Sequence, residues 1–191
     1  MPCLASFNDK RHQLIRCFMM LLDESMSGWR PKTTKLGGLP NYTYEPRKPV
    51  PLGTMFRNGV ECITGVIVVQ DVVQLSEQQS QKDFLGLRSN MPDGSEITAH
   101  AAEVLRLVSK SALPDVGGWV GGDSWFGSVI TAVEVKKRFG VHSTWIVKQN
   151  KHCFPMKPLF AILKARFKTR PAGHWVTMKT EIAGVRLIAI T

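Results

Sequence analysis

The sequence predicts an α/β fold, a mixed sheet with flanking helices, and three observations carry that reading. "VGGWVGGDSWFGSVITAVEVKKRFG", followed at once by "VHSTWIVKQ", gives strand, helix, strand, the order of a parallel pair joined by a crossover helix. "PDGSEITAHAAEVLRLVSKSA" places Ile97, Ala101, Val104, Leu105 and Val108 on one helical face. "TMFRNGVECITGVIVVQDVVQ" supplies two β-branched runs with turn-forming residues between them. A chain of 191 residues that is 43% hydrophobic can bury a core, so one domain with appendages is expected.

Along the chain, residues 1–16 read as an N-terminal segment and 17–191 as the domain. From Leu14 to Leu22 the apolar positions fit a helix about as well as a short buried strand; a strand from Cys17 to Leu22 would deliver Asp23 and Glu24 at its end. Ser27 to Gly53 is dense in Pro and Gly, and reads as a long loop or arm in which Arg30, Lys32, Lys35, Arg47 and Lys48 face Glu45 alone. The β-branched runs that follow are expected to break at Asn58-Gly59 and at Thr64-Gly65, and Ser76 to Asn90 is expected to be loop. The next helix has Asp93 or Ser95 as candidate cap and a basic end at Arg106 and Lys110, which suits the helix dipole. A strand around Trp119 and Val120 then ends in Gly121-Gly122-Asp123, and a helix begins near Ser128 and stops at Gly140. "PMKPLFAILKARFKTRP" predicts a short basic helix, and "HWVTMKTEIAGVRLIAIT" two strands turning at Ala183-Gly184. The last residues continue an apolar strand pattern with no closing helix, so the domain reads as incomplete.

A formal net charge of +10 favours polyanionic partners, nucleic acid first and an anionic membrane surface second. No segment has the ~20 apolar residues needed to span a membrane. No secretory signal opens the chain, which reads as intracellular and soluble. Between Val135 and Thr180 there is no Asp or Glu, while Lys136, Lys137, Arg138, Lys148, Lys151, Lys164, Arg166, Lys168 and Arg170 accumulate. A solvated face would mix signs, so this run is a candidate phosphate-contact surface. Cys3, Cys17, Cys62 and Cys153 make no CxxC pair and read as thiols; the histidines show no HxxxH or HExxH spacing.

Asp23 and Asp123 stand where two strands are expected to end. In open α/β sheets sites lie at the carboxyl ends of strands, and two carboxylates from neighbouring strands could begin a site for Mg²⁺ or Mn²⁺, which prefer hard oxygen ligands. Phosphodiester chemistry uses two such ions about 3.5–4 Å apart. The plainer alternative for each aspartate is a turn acid. Glu24 points to the other face of the strand and reads as a neighbour, and Trp125 and Phe126 read as core.

Three stretches taken in order, "LLDESMSGWRPK", "GGLPNYTYEPRKPVPLGTMFRNGVE" and "GGDSWFGSVITAVEVKKRFGVHSTWIVKQNK", resemble the PiggyBac transposase-derived family over roughly Leu21 to Thr191. The resemblance implies a ribonuclease H-like fold in which Asp23, on the first strand, and Asp123, after the fourth, are catalytic carboxylates that bind Mg²⁺ or Mn²⁺. It also implies DNA as partner and substrate of cleavage and strand transfer, a nuclear location, and a dimer as one mode of assembly. One departure stands out: the family's third acidic residue has no counterpart, since Asp71, Asp83, Asp93, Asp115 and Glu181 all lie elsewhere in the pattern. The resemblance therefore implies a truncated, inactive transposase domain, with a DNA-binding domesticated domain or an unstable fragment as alternatives.

Overall fold

The computed structural model describes residues 2–28, 41–74, 82–148, 153–166, 173 and 175–191. Residues 29–40 of the expected Pro- and Gly-rich arm, and Lys151, Lys168 and Arg170 of the basic run, lie outside the described residues.

The centre of the sheet is β1 (Met19–Gly28). It pairs antiparallel with β3 (Leu52–Glu61), from Met20↔Glu61 to Gly28↔Gly53. On its other side it pairs parallel with β5 (Trp119–Gly122), from Met19↔Trp119 to Leu22↔Gly122. Beyond β5 lies the parallel β6 (His142–Trp145). The far edge of β3 carries two antiparallel strands, the short β2 (Tyr42–Tyr44) and β4 (Ile67–Val72). Two helices complete the crossovers: α2 (Ala99–Ser109) precedes β5, and α3 (Val129–Phe139) joins β5 to β6. This is the mixed sheet with flanking helices that the sequence predicts. A smaller unit, α4 (Met156–Arg166) with the hairpin β7 (Thr177–Ile182) and β8 (Val185–Ile190), packs around Leu159, Leu163 and Val176. Val185 of that hairpin joins the main core.

The strands alternate faces, and one face is dry. Met20 and Leu22 of β1 and Val120 of β5 are buried against Val104, Leu105 and Val108 of α2 and Ile130 and Val133 of α3, in one cluster. Both helices start on side-chain caps. The Ser128 hydroxyl accepts from Thr131 N at 3.0 Å, and α3 stops at Gly140, whose φ of 69° is the left-handed conformation glycine takes without strain. The cap of α2 is Thr98, which accepts from Ala101 N at 3.4 Å; Asp93, one of the expected caps, instead accepts from Ser95 N in the preceding turn.

Two expectations about strand ends are corrected. Asn58-Gly59 is no turn: β3 runs through it, and both residues are buried. The turn propensity of Asn-Gly yields to packing, because a Cβ on Gly59 would lie 2.3 Å from Met20 Sδ and 2.6 Å from Val69 Cγ1. Nor does β1 end at Leu22. The strand continues to Gly28 through its pairing with β3, and what ends at Leu22 is the parallel pairing with β5.

Residues 2–14 form a helix, α1 (Pro2–Leu14), which guards the outer edge of β4. Asn8 donates from Nδ2 to Gln70 O at 3.1 Å and accepts from Gln70 N at 3.0 Å, so one amide side chain satisfies both backbone groups. Arg11 donates to Ile67 O on the same edge. An open strand edge is an aggregation template, and α1 covers this one.

Ionic contacts fix α2 to the sheet. Asp71 of β4 accepts from Arg106 Nε at 2.8 Å and pairs with Lys82 at 3.3 Å and Lys110 at 3.6 Å. Burial alone would raise the Asp71 carboxyl, but the Arg106 hydrogen bond and the charges of Lys82, Lys110 and Arg106 hold it below the ordinary carboxylate range. On α3, the fully buried Glu134 accepts from the Asn90 backbone and side chain and from Arg138 Nε, tying the 82–98 segment to that helix.

All four cysteines are free thiols, as expected. Burial, helped by the charge of Glu61, pushes the Cys17 thiol up to about 11, which keeps it protonated and inert. Among the described residues no helix is long and apolar enough to cross a membrane.

Candidate metal and nucleic-acid site

Asp23 and Asp123 come to the same end of the sheet because β1 and β5 are parallel and in register. Each is the residue after the last parallel pair, Leu22↔Gly122. Adjacent strands lie about 4.8 Å apart, so the two backbones are neighbours at that point. β5 leads through the turn at residues 123–128 into α3.

Both aspartates are exposed, and each is held by a local backbone donor. Asp23 Oδ1 accepts from Glu24 N at 2.7 Å, and Asp123 Oδ1 accepts from Trp125 N at 2.9 Å. Among the described residues no hydrogen bond engages Oδ2 of either. Strand alternation turns Asp23 to the face away from α2, where Ser25, Asn58 and Gln70 form a polar row: Asn58 Nδ2 donates to Ser25 Oγ at 2.8 Å and Gln70 Nε2 to Asn58 Oδ1 at 2.9 Å.

Glu24 points the other way, into the interface with α2. It pairs with Lys48 at 3.1 Å and with the buried Arg57, and Arg57 Nε also donates to Glu103 Oε2 of α2 at 3.2 Å. Burial would raise the Glu24 carboxyl, yet Lys48 and Arg57 together hold it below its ordinary value. Trp125 Nε1 donates to Glu103 Oε2 at 3.4 Å, and the Arg57 guanidinium lies 4.7 Å from the Trp125 ring centre and 5.8 Å from that of Phe126. Phe126 is core, 1% exposed; Trp125, at 36%, is not, and His100 meets its ring edge-on. Sequence reasoning missed Arg57 and Glu103. The one signal was a charged residue at an inward position in each element, Arg57 between Met55 and Gly59 on β3, and Glu103 among the buried residues of α2.

The chemistry of the pair suits a hard cation. Mg²⁺ binds through one or two carboxylates completed by water and substrate phosphate, a share that two aspartates on neighbouring strands could supply. Among the described residues no group of three or more His, Cys, Asp or Glu side chains gathers into a metal cage, so the two aspartates would hold an ion only with such outside ligands.

The basic residues are spread. Lys136, Lys137 and Arg138 lie in the last turn of α3, about 10–14 Å along its axis from its first residue, Val129. There Arg138 is committed to Glu134 at 2.6 Å and Lys136 donates to Gly140 O at 2.6 Å. Lys148, after β6, and Lys164 and Arg166, on α4, are exposed.

This arrangement defines a class: a mixed α/β sheet whose central parallel strands present two aspartates at the point where their parallel pairing ends. No protein-family model matches the sequence, and no curated protein matches it. Among solved structures the chain is similar in fold to the cryo-EM structure of a piggyBac transposase synaptic complex with hairpin DNA, with a TM-score of 0.61 and 17% identity. The similarity covers 88% of this chain but 30% of that one, so the chain spans less than a third of its neighbour's length.

Proposed function

We propose that the chain is a transposase-like DNA-binding domain in which Asp23 and Asp123 share a divalent ion, Mg²⁺ or Mn²⁺, against a DNA phosphate. The observation that carries this reading is the parallel register of β1 and β5, which brings to one place the two residues that the PiggyBac resemblance makes catalytic. When bound there, the ion would neutralise phosphate charge and polarise a phosphoryl oxygen. The protein's own part is to fix two carboxylate oxygens through the Glu24 and Trp125 backbone amides and to gather the polyanion on Lys137, Lys148, Lys164 and Arg166. A nuclear location follows from the same reading. With two carboxylates and no third, the chain binds DNA without carrying out strand transfer by itself.

Fluorescence anisotropy with a labelled DNA duplex tests the binding. The expected result is an affinity that falls at least ~10-fold between 50 and 200 mM salt, as counterion release requires when several phosphates are contacted. Absence of binding at the lower salt would remove DNA as the partner. In parallel, supercoiled plasmid incubated with Mn²⁺ should stay intact; nicking that disappears in Asp23→Ala would show that the two carboxylates suffice for cleavage.

A further inference from the structure

Arg57 contacts the elements on both sides of the candidate site. It is 4% exposed, it stands in the middle of β3, and it touches every element that carries the site. Through Glu24 it reaches β1 at the residue whose backbone N–H holds the Asp23 carboxylate. Through Glu103, and by lying over the Trp125 and Phe126 rings, it reaches the turn after β5. The Trp125 backbone N–H holds Asp123 Oδ1, and Gly127 N closes the same turn on Asp123 O at 3.0 Å.

We infer that Arg57 is a positioning residue for the Asp23 and Asp123 carboxylates, setting the distance between β1 and the Asp123 turn from the opposite side of the sheet. The inference rests on the metal reading proposed above. Its chemistry is that of a planar fork: two N–H edges bind two carboxylates on different elements while the flat face lies over indole, and no other side chain does all three. Such a clamp is expensive in buried charge, and it stands where two ligands from separate elements must be held to a fraction of an ångström. Lysine has the charge without the fork or the flat face, so it can replace the ion pair but not the geometry.

The test separates position from stability. Arg57→Met is made together with Glu24→Gln and Glu103→Gln, which removes both acids along with the buried guanidinium; Lys48, the other partner of Glu24, is part-exposed and can turn to water. Hydrogen exchange is read at the Trp125 and Gly127 amides, and binding of Mn²⁺ alone is titrated on the same full chain. The expected result is a folded protein whose β1 and β3 amides keep their protection, whose Trp125 and Gly127 amides exchange about tenfold faster, and whose Mn²⁺ affinity falls about tenfold. Arg57→Lys, which carries the test alone should the triple variant not fold, is expected to show the same two changes in smaller measure. Unchanged exchange at Trp125 and Gly127 in a folded variant overturns the role given to Arg57. Faster exchange in a chain whose wild type binds no Mn²⁺ leaves Arg57 as the clamp of the turn but overturns the metal reading, and with it the purpose assigned here.

Discussion

Asp71→Ala is expected to destabilise the protein by about 3–5 kcal/mol, the cost of breaking a buried ion pair by removing one partner. Asp71 pairs with Arg106, Lys82 and Lys110, and Arg106 is 3% exposed, so removing Asp71 strands a guanidinium that cannot turn to water. The loss acts on the seam between β4 and α2, and urea unfolding followed by circular dichroism measures it. Adding Arg106→Met should recover a good part of the loss, because the stranded charge then goes too. The same contact predicts an acid limb. The folded carboxyl is held below its unfolded value of about 3.9, so its contribution is present above that pH and fades as pH falls through the folded value. Asp71→Asn should remove that part of the pH dependence while costing less at neutral pH than Asp71→Ala; an unfolding midpoint in Asp71→Ala equal to that of the wild type would show that the cluster holds nothing.

Phe126→Ala is expected to cost about 3–5 kcal/mol, the range for emptying a fully buried aromatic site. Among the described residues Phe126 is the largest fully buried side chain, and it packs at the β5 end, 3.3 Å from where a Cβ on Gly122 would stand. Little can collapse into the gap. Gly127, the next residue, is pinned by backbone, since a Cβ there would lie 2.1 Å from Ile146 O. Phe126→Leu, which keeps most of the volume, should cost well under half as much. Chemical denaturation of the two variants checks the order, and equal losses would mean that the pocket relaxes around either side chain.

The parts of this fold that are local were legible in the sequence. The apolar stripe of α2, the Ser128 to Gly140 limits of α3 and the Ala183-Gly184 hairpin turn each depend on residues a few positions apart, and the structure has them where periodicity and caps predict. What depends on register was hidden. Asn58-Gly59 reads as a turn until Met20 and Val69 are seen to close on Gly59. The row Glu24, Arg57, Asp71 crosses three strands by the pairings Glu24↔Arg57 and Arg57↔Asp71, over sequence separations that no spacing rule links. Helix α1 was missed for a related reason: its sequence has little amphipathic pattern, and its place is set by hydrogen bonds to the edge of β4. At the candidate site, the resemblance picked out Asp23 and Asp123, and their side-by-side placement needed the parallel pairing of β1 with β5.

Titration of the full chain with Mn²⁺, followed by the loss of the free-ion electron paramagnetic resonance signal, tests the shared site most directly, with Asp23→Asn and Asp123→Asn as the two comparisons. Both aspartates are exposed, so neither variant should disturb folding. Saturable binding is expected in the unaltered chain, with a loss of affinity of at least ~10-fold in each variant, because each substitution removes one of the two carboxylates that the protein supplies and replaces it with a neutral, weaker ligand. Binding that survives either substitution unchanged would contradict a shared site and leave both aspartates as residues of their turns.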